Sequence, residues 1–558
     1  MKEKMGLALI SLICLLLVFA CTKVTEMADL VLLNGSVWTG EDGRPWAEAV
    51  AVKNHKFILV GPSKDVRKFV GAGTRVLDLK GDLALPGFID SHTHFLSGGF
   101  ALLSIHLRDA NSKGEFIARI EKKARQLGPG QWIQNGDWDH QQFDPPELPR
   151  REWIDSVTPD NPVCVNRMDS HMILANSLAL KIAGITRNTP SPEGGEIVRD
   201  SDTGEPTGIL KDAAMALVMK HIPEPSFGEK IAAAEAALKL AAECGVTSTH
   251  DMADSSNFEV YQDLLQKGRL TSRIFLYIPL SDADLYERLF LKTPFGGDDL
   301  KIGGLKGFVD GSLGSSTALF FEPYADNPKA VGLLSPDMFP DGVMERRILA
   351  ADKAGLQVAI HAIGDKANSI ILDIFERAIL QNGPRDRRWR IEHAQHLRPA
   401  DIKRMARLGI IASVQPYHAI DDGRWAEIRI GRERCRTTYA FRSLLEKGVR
   451  LALGSDWTVA PLDPLAGVYA AVTRRTLDGK NPGGWFPEQK ISLEEALRGY
   501  TRNGAYAEFA DEVKGSIAAG KLADLVILNQ NIFRIPAERI SEARVKTTIV
   551  GGKIIFQR

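Results

Sequence analysis

The sequence predicts an α/β protein built on a TIM-like (β/α)8 barrel, and three observations carry that reading. Through the middle of the 558-residue chain, short apolar runs alternate with helical segments until eight strand candidates have passed, the pattern of parallel strands joined by covering helices. Strand-like phrases of one texture stand at both ends of the chain, so something is bracketed between them. The first and second strand candidates are separated by residues 95–245, too long a stretch to be a bare loop.

The chain opens "MKEKMGLALISLICLLLVFACTK", with lysines at positions 2 and 4 followed by an apolar run from Gly6 to Ala20. That run is shorter than the ~20 residues needed to span a bilayer, and it reads as a secretory signal. Its end, "LVFAC", resembles the bacterial lipoprotein signal, in which a small residue precedes a cysteine that becomes the lipidated first residue of the mature protein. Residues 1–21 are therefore expected to be a signal peptide ending in the lipidation site Cys21, with the mature protein exported to the cell envelope and anchored on the periplasmic side of a bacterial membrane. Several acyl chains on one cysteine suffice for stable anchoring. An uncleaved anchor and ordinary secretion are the alternatives.

Residues 26–85 alternate or run apolar between Asn-Gly, Gly-Pro and Lys-Gly turn signals, as in "ADLVLLNGSVWTG" and "AEAVAVKNHKFILVG", which is strand-and-turn texture. Residues 508–558 return to it in "KLADLVILN" and "VKTTIVGGKIIFQR". The two stretches together are expected to form one small β-sandwich domain. Between them, residues 86–507 hold the barrel, with strand candidates "ALPGFIDSHTH", "VTSTHD", "RIFLYIPL", "LKGFVDG", "LQVAIHAIG", "WRIEHAQ", "IIASVQPY" and "RLALGSD". The helical spacing of "FGEKIAAAEAALKLAAECG" is typical of the segments between them. A doubly wound open sheet is the alternative arrangement. Residues 96–225, with the Trp- and Pro-rich "QNGDWDHQQFDPPELPRREW", are expected to form a subdomain inserted above the barrel mouth.

Bulk properties narrow the function. Seventy basic and seventy acidic side chains cancel, so no polyanion is called for and nucleic acid is excluded as a partner. Beyond Cys14 and Cys21, the remaining Cys164, Cys244 and Cys435 are far apart and odd in number. They form neither a CxxC-type metal site nor a disulfide framework.

Chemistry concentrates at the strand ends. In "PGFIDSHTHF" His92 and His94 are two residues apart, so on a strand both imidazoles point to one face. His250 and Asp251 end the second candidate, Lys306 and Asp310 lie in the fourth, and His361, His393 and Asp456 end the fifth, sixth and eighth. Reactive groups in such barrels sit at the C-terminal strand ends. One histidine there is most simply a hydrogen-bonded core residue, but several beside carboxylates need a cation to offset their desolvation. Imidazole and carboxylate without thiolate suit zinc or another borderline divalent ion, one or two per chain. Two ions would need a bridging anion; Lys306 could supply it as a carbamate formed with CO2, or could instead pair with Asp310.

The segments "PGFIDSHTHF", "LKGFVDGSLGSSTALF", "HAIGDKA", "RIEHAQH" and "GSDWTVAPLDPL", in this order and framed by the split β domain, resemble the amidohydrolase superfamily. More narrowly they resemble amidohydrolase family 3, the group containing N-substituted formamide deformylase, and "MDSHMILANSLAL" resembles part of that group's inserted region. The resemblance implies metal ligation by His92, His94, His361 and His393, a carboxylated Lys306, and Asp456 as catalytic acid/base. It departs from this chain at Ser316, where the family commonly has arginine, a position that bears on substrate specificity. His171 and the segment from Trp132 to Trp138 are candidate lid contacts to substrate.

The function expected is therefore hydrolysis of a C–N bond in an amide or N-substituted formamide by a metal-activated water. An ester or lactone hydrolase on the same scaffold is one alternative. A non-catalytic binding relative, which lost ligands would mark, is another; none of the expected ligands is missing. The partners expected are a small amide-type molecule and the membrane, with homo-oligomerisation open.

Overall fold

Eight parallel strands form one sheet in strictly sequential order. They are β1 (Phe88–Thr93), β2 (Val246–Met252), β3 (Arg273–Pro279), β4 (Leu300–Phe308), β5 (Val358–Ala362), β6 (Arg390–His393), β7 (Ile411–Val414) and β8 (Leu451–Leu453). Each of the eight candidate phrases overlaps one of them, although the fourth, starting at Leu305, misses the first five residues of β4. The computed structural model describes residues 26–558; the signal run and Cys21 lie outside the described residues.

Sequential order decides between a barrel and a doubly wound sheet, because a doubly wound sheet reverses its strand order. The seam between β1 and β8 closes just beyond the strand ends. There the Asp456 N–H donates to the His92 carbonyl at 2.7 Å and the His94 N–H to the Trp457 carbonyl at 2.8 Å. The same two hydrogen bonds bring His92, His94 and Asp456 together, so barrel closure and site assembly are one event. All six residues of β1 are buried, as expected of a strand covered on both faces.

The outer layer shows why these residues make helices. Helix α1 (Phe95–Leu103) follows β1 and α2 (Phe227–Glu243) precedes β2. Ser226 caps α2 by accepting from the Glu229 N–H, while the Glu229 carboxylate accepts from the Ser226 N–H at 2.8 Å, which satisfies two otherwise orphaned donors. Its buried face is mostly alanine, including Ala233, Ala234, Ala237 and Ala241, and this lets α1 approach closely. A Cβ at Gly99 of α1 would lie 2.0 Å from the Ala233 carbonyl oxygen, so only glycine fits. Helix α1 thus packs on the barrel shell, although the sequence places residue 96 in the insertion.

The inserted segment carries its own five-stranded sheet, in the order Gly195–Arg199, Pro206–Asp212, Met172–Ala175, Val163–Asn166, Ile133–Gln134. Trp138 is fully buried in a core of its own there and donates its indole N–H to the Val165 carbonyl at 2.9 Å. It is a packing residue of the subdomain and not a lid contact.

Both chain ends build the remaining unit. One sheet contains Leu30–Leu33, Ala49–Lys53, Lys56–Gly61 and Arg75–Asp78; the other joins Ser36–Trp38, Trp46–Ala47 and Leu83–Pro86 to Leu525–Leu528, Val545–Val550 and Lys553–Gln557. Leu32, Val50, Ala84, Ile527 and Ile549 meet in a single apolar core between the sheets. Cys164, Cys244 and Cys435 are free thiols.

Candidate metal centre

His92, His393 and Asp456 each turn a ligand-capable atom to one point, the three atoms lying within 4.8 Å of one another, and all three residues are buried. His92 Nε2 and His94 Nε2 stand 3.5 and 3.4 Å from Asp456 Oδ1, and His393 Nδ1 stands 3.9 Å from Asp456 Oδ2. The His361 ring follows at 4.5 Å from that of His393, centroid to centroid. Lys306 completes the group from β4: its side chain lines the same cavity as His94, His361, His393 and Asp456, with Nζ 4.7 Å above the Phe308 ring.

Backbone geometry at two of these positions is strained. His393 and Asp456 have φ of 71° and 58°, in the left-handed region that costs a non-glycine residue of order 1 kcal/mol or more. At β6 this has a visible consequence. Arg390 and Glu392 alternate to the barrel interior, as i and i+2 must, and the left-handed turn at His393 brings the next side chain round to the mouth as well.

Hydrogen bonds fix which nitrogen of each ring is free. His92 Nδ1 donates to the Glu392 carboxylate, itself held by Arg390 through Nε at 2.7 Å and Nη2 at 3.0 Å. His361 Nε2 donates to the Gly311 carbonyl at 3.1 Å, and His393 Nδ1 donates to Gln415 Oε1 at 2.9 Å. His92 and His361 so keep their other nitrogen for a ligand, the arrangement by which outer groups orient metal-binding histidines, whereas His393 Nδ1 lies between Gln415 and Asp456.

Protonation favours a cation. Burial pushes His92 down to about 4 and holds His361 and His393 well below the usual imidazole range, so all three are neutral. Burial alone would raise Asp456, but positive charge on His92 and the hydrogen bond from His94 act the other way, and the net direction is well below the ordinary carboxylate range. Neutral imidazoles beside an ionised carboxylate are the states ligation requires. The buried atoms His92 Nε2, Asp456 Oδ1 and Lys306 Nζ have no hydrogen-bond partner among the described residues, an arrangement that carries a desolvation cost. A divalent ion ligated by His92, His393 and Asp456 fits this donor set, with His94, His361 and Lys306 beside it.

Several sequence candidates fall elsewhere. His250 lies inside the barrel, Nδ1 2.7 Å from Arg390 Nη1, because its place in β2 points it to the interior below the mouth. Asp251, on the opposite face of that strand, accepts from the Phe95 N–H at 2.7 Å and the Tyr261 hydroxyl at 2.6 Å. Asp310 is not the partner of Lys306. It accepts the N–H groups of Leu319, Ile363 and Gly364 at 2.8 to 3.0 Å and so ties the loop after β4 to the end of β5.

His171 of the insertion does reach the cavity, with its ring 5.4 Å from that of His361. Burial opposes a charge on it, but Asp212, 2.6 Å from Nδ1, and Asp169 prevail and raise it to about 9. At Ser316, where arginine is common in the family, a guanidinium arrives from another part of the chain: Arg429 donates to the Ser316 hydroxyl and pairs with Asp326 at 2.6 Å.

Sequence reasoning missed Glu392 and His418. Glu392 stands inside the quoted "RIEHAQH", and period-2 alternation from Arg390 was the signal for it. His418 is one residue past the end of the seventh strand phrase, on the short helix α3 (Pro416–Asp422), and its only signal was that nearness to a strand end. The cavity that His418 helps to line has a volume of ≈ 260 Å³.

Comparison with known proteins agrees with this geometry. The model of the Amidohydrolase family matches residues 75–556. The chain is 41% identical over 545 residues to the protein LONG AFTER FAR-RED 3 of Arabidopsis thaliana, covering 95% of this chain and 92% of that one. It is 29% identical over 555 residues to the N-substituted formamide deformylase of Arthrobacter pascens, covering 96% and 99%. The crystal structure of an uncharacterized metal-dependent hydrolase from Pyrococcus horikoshii OT3 superposes with a TM-score of 0.74 at 30% identity, covering 91% and 99%. With the family model spanning the barrel and the C-terminal part of the two-ended β domain, the chain belongs to the amidohydrolase family.

Proposed function

We propose that this protein hydrolyses the C–N bond of an amide or N-substituted formamide, using a divalent ion, zinc or a similar borderline metal, and Asp456 as acid/base. The observation that carries the reading is the buried cluster of His92, His393 and Asp456, in which His92 Nε2 and Asp456 Oδ1 are without hydrogen-bond partners among the described residues, at a cavity lined by His393, Asp456 and Lys306. A bound divalent ion supplies Lewis acidity there, lowering the pKa of water from about 15.7 towards about 7 and polarising a carbonyl.

The chain's own residues do the rest. Asp456 accepts the proton of the attacking water while the water oxygen bonds to the carbonyl carbon. It then delivers that proton to the nitrogen as the C–N bond breaks, giving a carboxylic acid and an amine. Glu392, Gln415 and the Gly311 carbonyl hold the imidazoles of His92, His393 and His361 in orientation. His171, kept charged by Asp212, offers a donor to the substrate from the insertion side. Lys306 is read as carboxylated, its carbamate supplying the anion that two neighbouring cations would need. The Arthrobacter relative acts, by its name, on N-substituted formamides, which supports the substrate class.

The run before Cys21 supports export and lipid anchoring of the same enzyme at the cell envelope. The test of the activity is metal analysis of purified protein together with a panel of amides, N-substituted formamides and esters. Metal at one or two per chain with amide or formamide turnover is expected. Turnover of esters alone would replace the C–N assignment, and metal-free protein would remove the mechanism.

A further inference from the structure

We propose that His418 is a further catalytic residue, whose Nε2–H donates a hydrogen bond to the oxygen of the scissile carbonyl as that oxygen gains negative charge. The proposal rests on the amide-hydrolase reading above and deepens it.

His418 stands on α3, past the end of β7, and lines the cavity beside His393, Lys306 and Asp456. It is buried, and its Nε2 has no hydrogen-bond partner among the described residues. A buried polar nitrogen left unpaired in a folded protein costs free energy and asks for an explanation. Packing alone does not supply one, because an apolar ring of the same shape would fill the space without that cost. The ring lies nearly parallel to that of His393, 13° between planes and 6.4 Å between centroids, so its edge faces the same space as the metal-side histidine. Nε2 is 4.0 Å from Asp456 Oδ2, beyond hydrogen-bond reach. An N–H there points at a carboxylate, whereas a lone pair would be repelled by it, so the Nε2–H tautomer is favoured. A substrate atom that accepts from Nε2 would then sit beside Asp456, on the side of the cavity across which the proton is transferred. A donor fixed in place before reaction stabilises developing charge without reorganising.

His418 is outside the ligand-capable group of His92, His393 and Asp456, so its removal should separate chemistry from metal binding. The experiment uses the purified holoenzyme with His418→Phe and His418→Gln, the second keeping a donor of similar reach. Formanilide and 4-nitrophenyl formate are the substrates, phenylphosphonate is the tetrahedral oxyanion probe, and metal content is measured on every sample. For His418→Phe the expected result is unchanged metal, kcat lower by ~10²-fold on both substrates, KM within about threefold, and phenylphosphonate affinity lower by ~10²-fold, with His418→Gln recovering about tenfold.

Undiminished kcat in His418→Phe would overturn the proposal. Loss of metal in both variants would do so too, making His418 a ligand or a structural residue. A defect on the anilide that spares the ester would place the donor at the leaving nitrogen and not at the oxygen, which also overturns it. Should the wild-type enzyme cleave neither compound, the amide reading falls by itself. The phenylphosphonate titration then decides the role of His418: weaker binding by His418→Phe upholds the donor, and equal binding rejects it.

Discussion

Glu392 accepts a hydrogen bond from Nδ1 of His92, and this leaves Nε2 of the same ring facing Asp456 at 3.5 Å. Both side chains are wholly inaccessible to solvent, so no water can stand in for either partner. Burial works against the Glu392 carboxylate, but Arg390 and His92 outweigh it and hold it well below its ordinary range. A carboxylate in that position fixes the tautomer of the imidazole and raises its basicity as a ligand. Glu392→Gln should therefore weaken metal binding by roughly 10- to 100-fold. Competition with a chelator of known affinity checks it, and an unchanged affinity would show that the ring is oriented by packing alone.

The backbone at Asp456 makes a cleaner test of the acid/base role than is usual. Its φ of 58° disfavours most residues, but asparagine adopts the left-handed conformation almost as readily as aspartate. Asp456→Asn should thus keep the loop and the β1–β8 seam, and because the amide oxygen is a weaker ligand than the carboxylate the variant is compared with wild type at saturating metal. Turnover should fall by ~10²-fold or more, the scale of a proton-transfer group. Parallel metal analysis and steady-state kinetics are the measurement. Near-normal activity at full metal occupancy rejects the role.

The barrel and much of its site were legible in the sequence because both depend on local pattern. Eight apolar runs bounded by turn signals marked the strands, and the spacing of His92 and His94 put two imidazoles on one face before any contact was known. What was not legible depends on register and on where loops end. His250 and Asp251 end a strand phrase as His361 does, yet β2 places one inside the barrel and the other against α1. Strand phase relative to the barrel axis is a tertiary property that no single strand announces. Asp310 read as a partner for Lys306 because the two are close in sequence, but the loop after β4 turns it to three backbone N–H groups instead. Trp138 lies in a polar, proline-rich stretch that suggested a lid and is the core of a subdomain.

The Cys21 expectation is tested apart from catalysis. Cys21→Ala should abolish metabolic labelling with a radioactive fatty acid and release the protein from the membrane fraction, while the purified variant keeps wild-type turnover. Labelling equal to wild type would disprove lipidation at this cysteine.

Lys306 bears on whether the centre holds one ion or two. Four histidines from β1, β5 and β6 can keep one divalent ion unaided, but two cations a few ångströms apart repel strongly unless an anion stands between them. An ammonium in this place would add a third positive group. Nζ is buried over the Phe308 ring, has no hydrogen-bond partner among the described residues and lines the cavity of His94, His361 and His393, so the carboxylates of Glu392, Asp456 and Asp337 favour its charge only at a distance. Burial lowers it from its ordinary 10.5 to about 8, so that at pH 7 the neutral fraction rises from ~0.03% to ~10%, and only the neutral amine reacts with CO2. A carbamate formed there replaces the unpaired cation with an anion bearing two ligand oxygens. Lys306→Ala should accordingly lower metal content and activity together, and a small carboxylate such as acetate or propionate in solution should restore part of both. Protein prepared with ¹³C-bicarbonate should show a carbamate carbon that is absent from the alanine variant. An alanine variant that still carries two metals per chain would make the bridge unnecessary and leave a mononuclear site as the account of the centre.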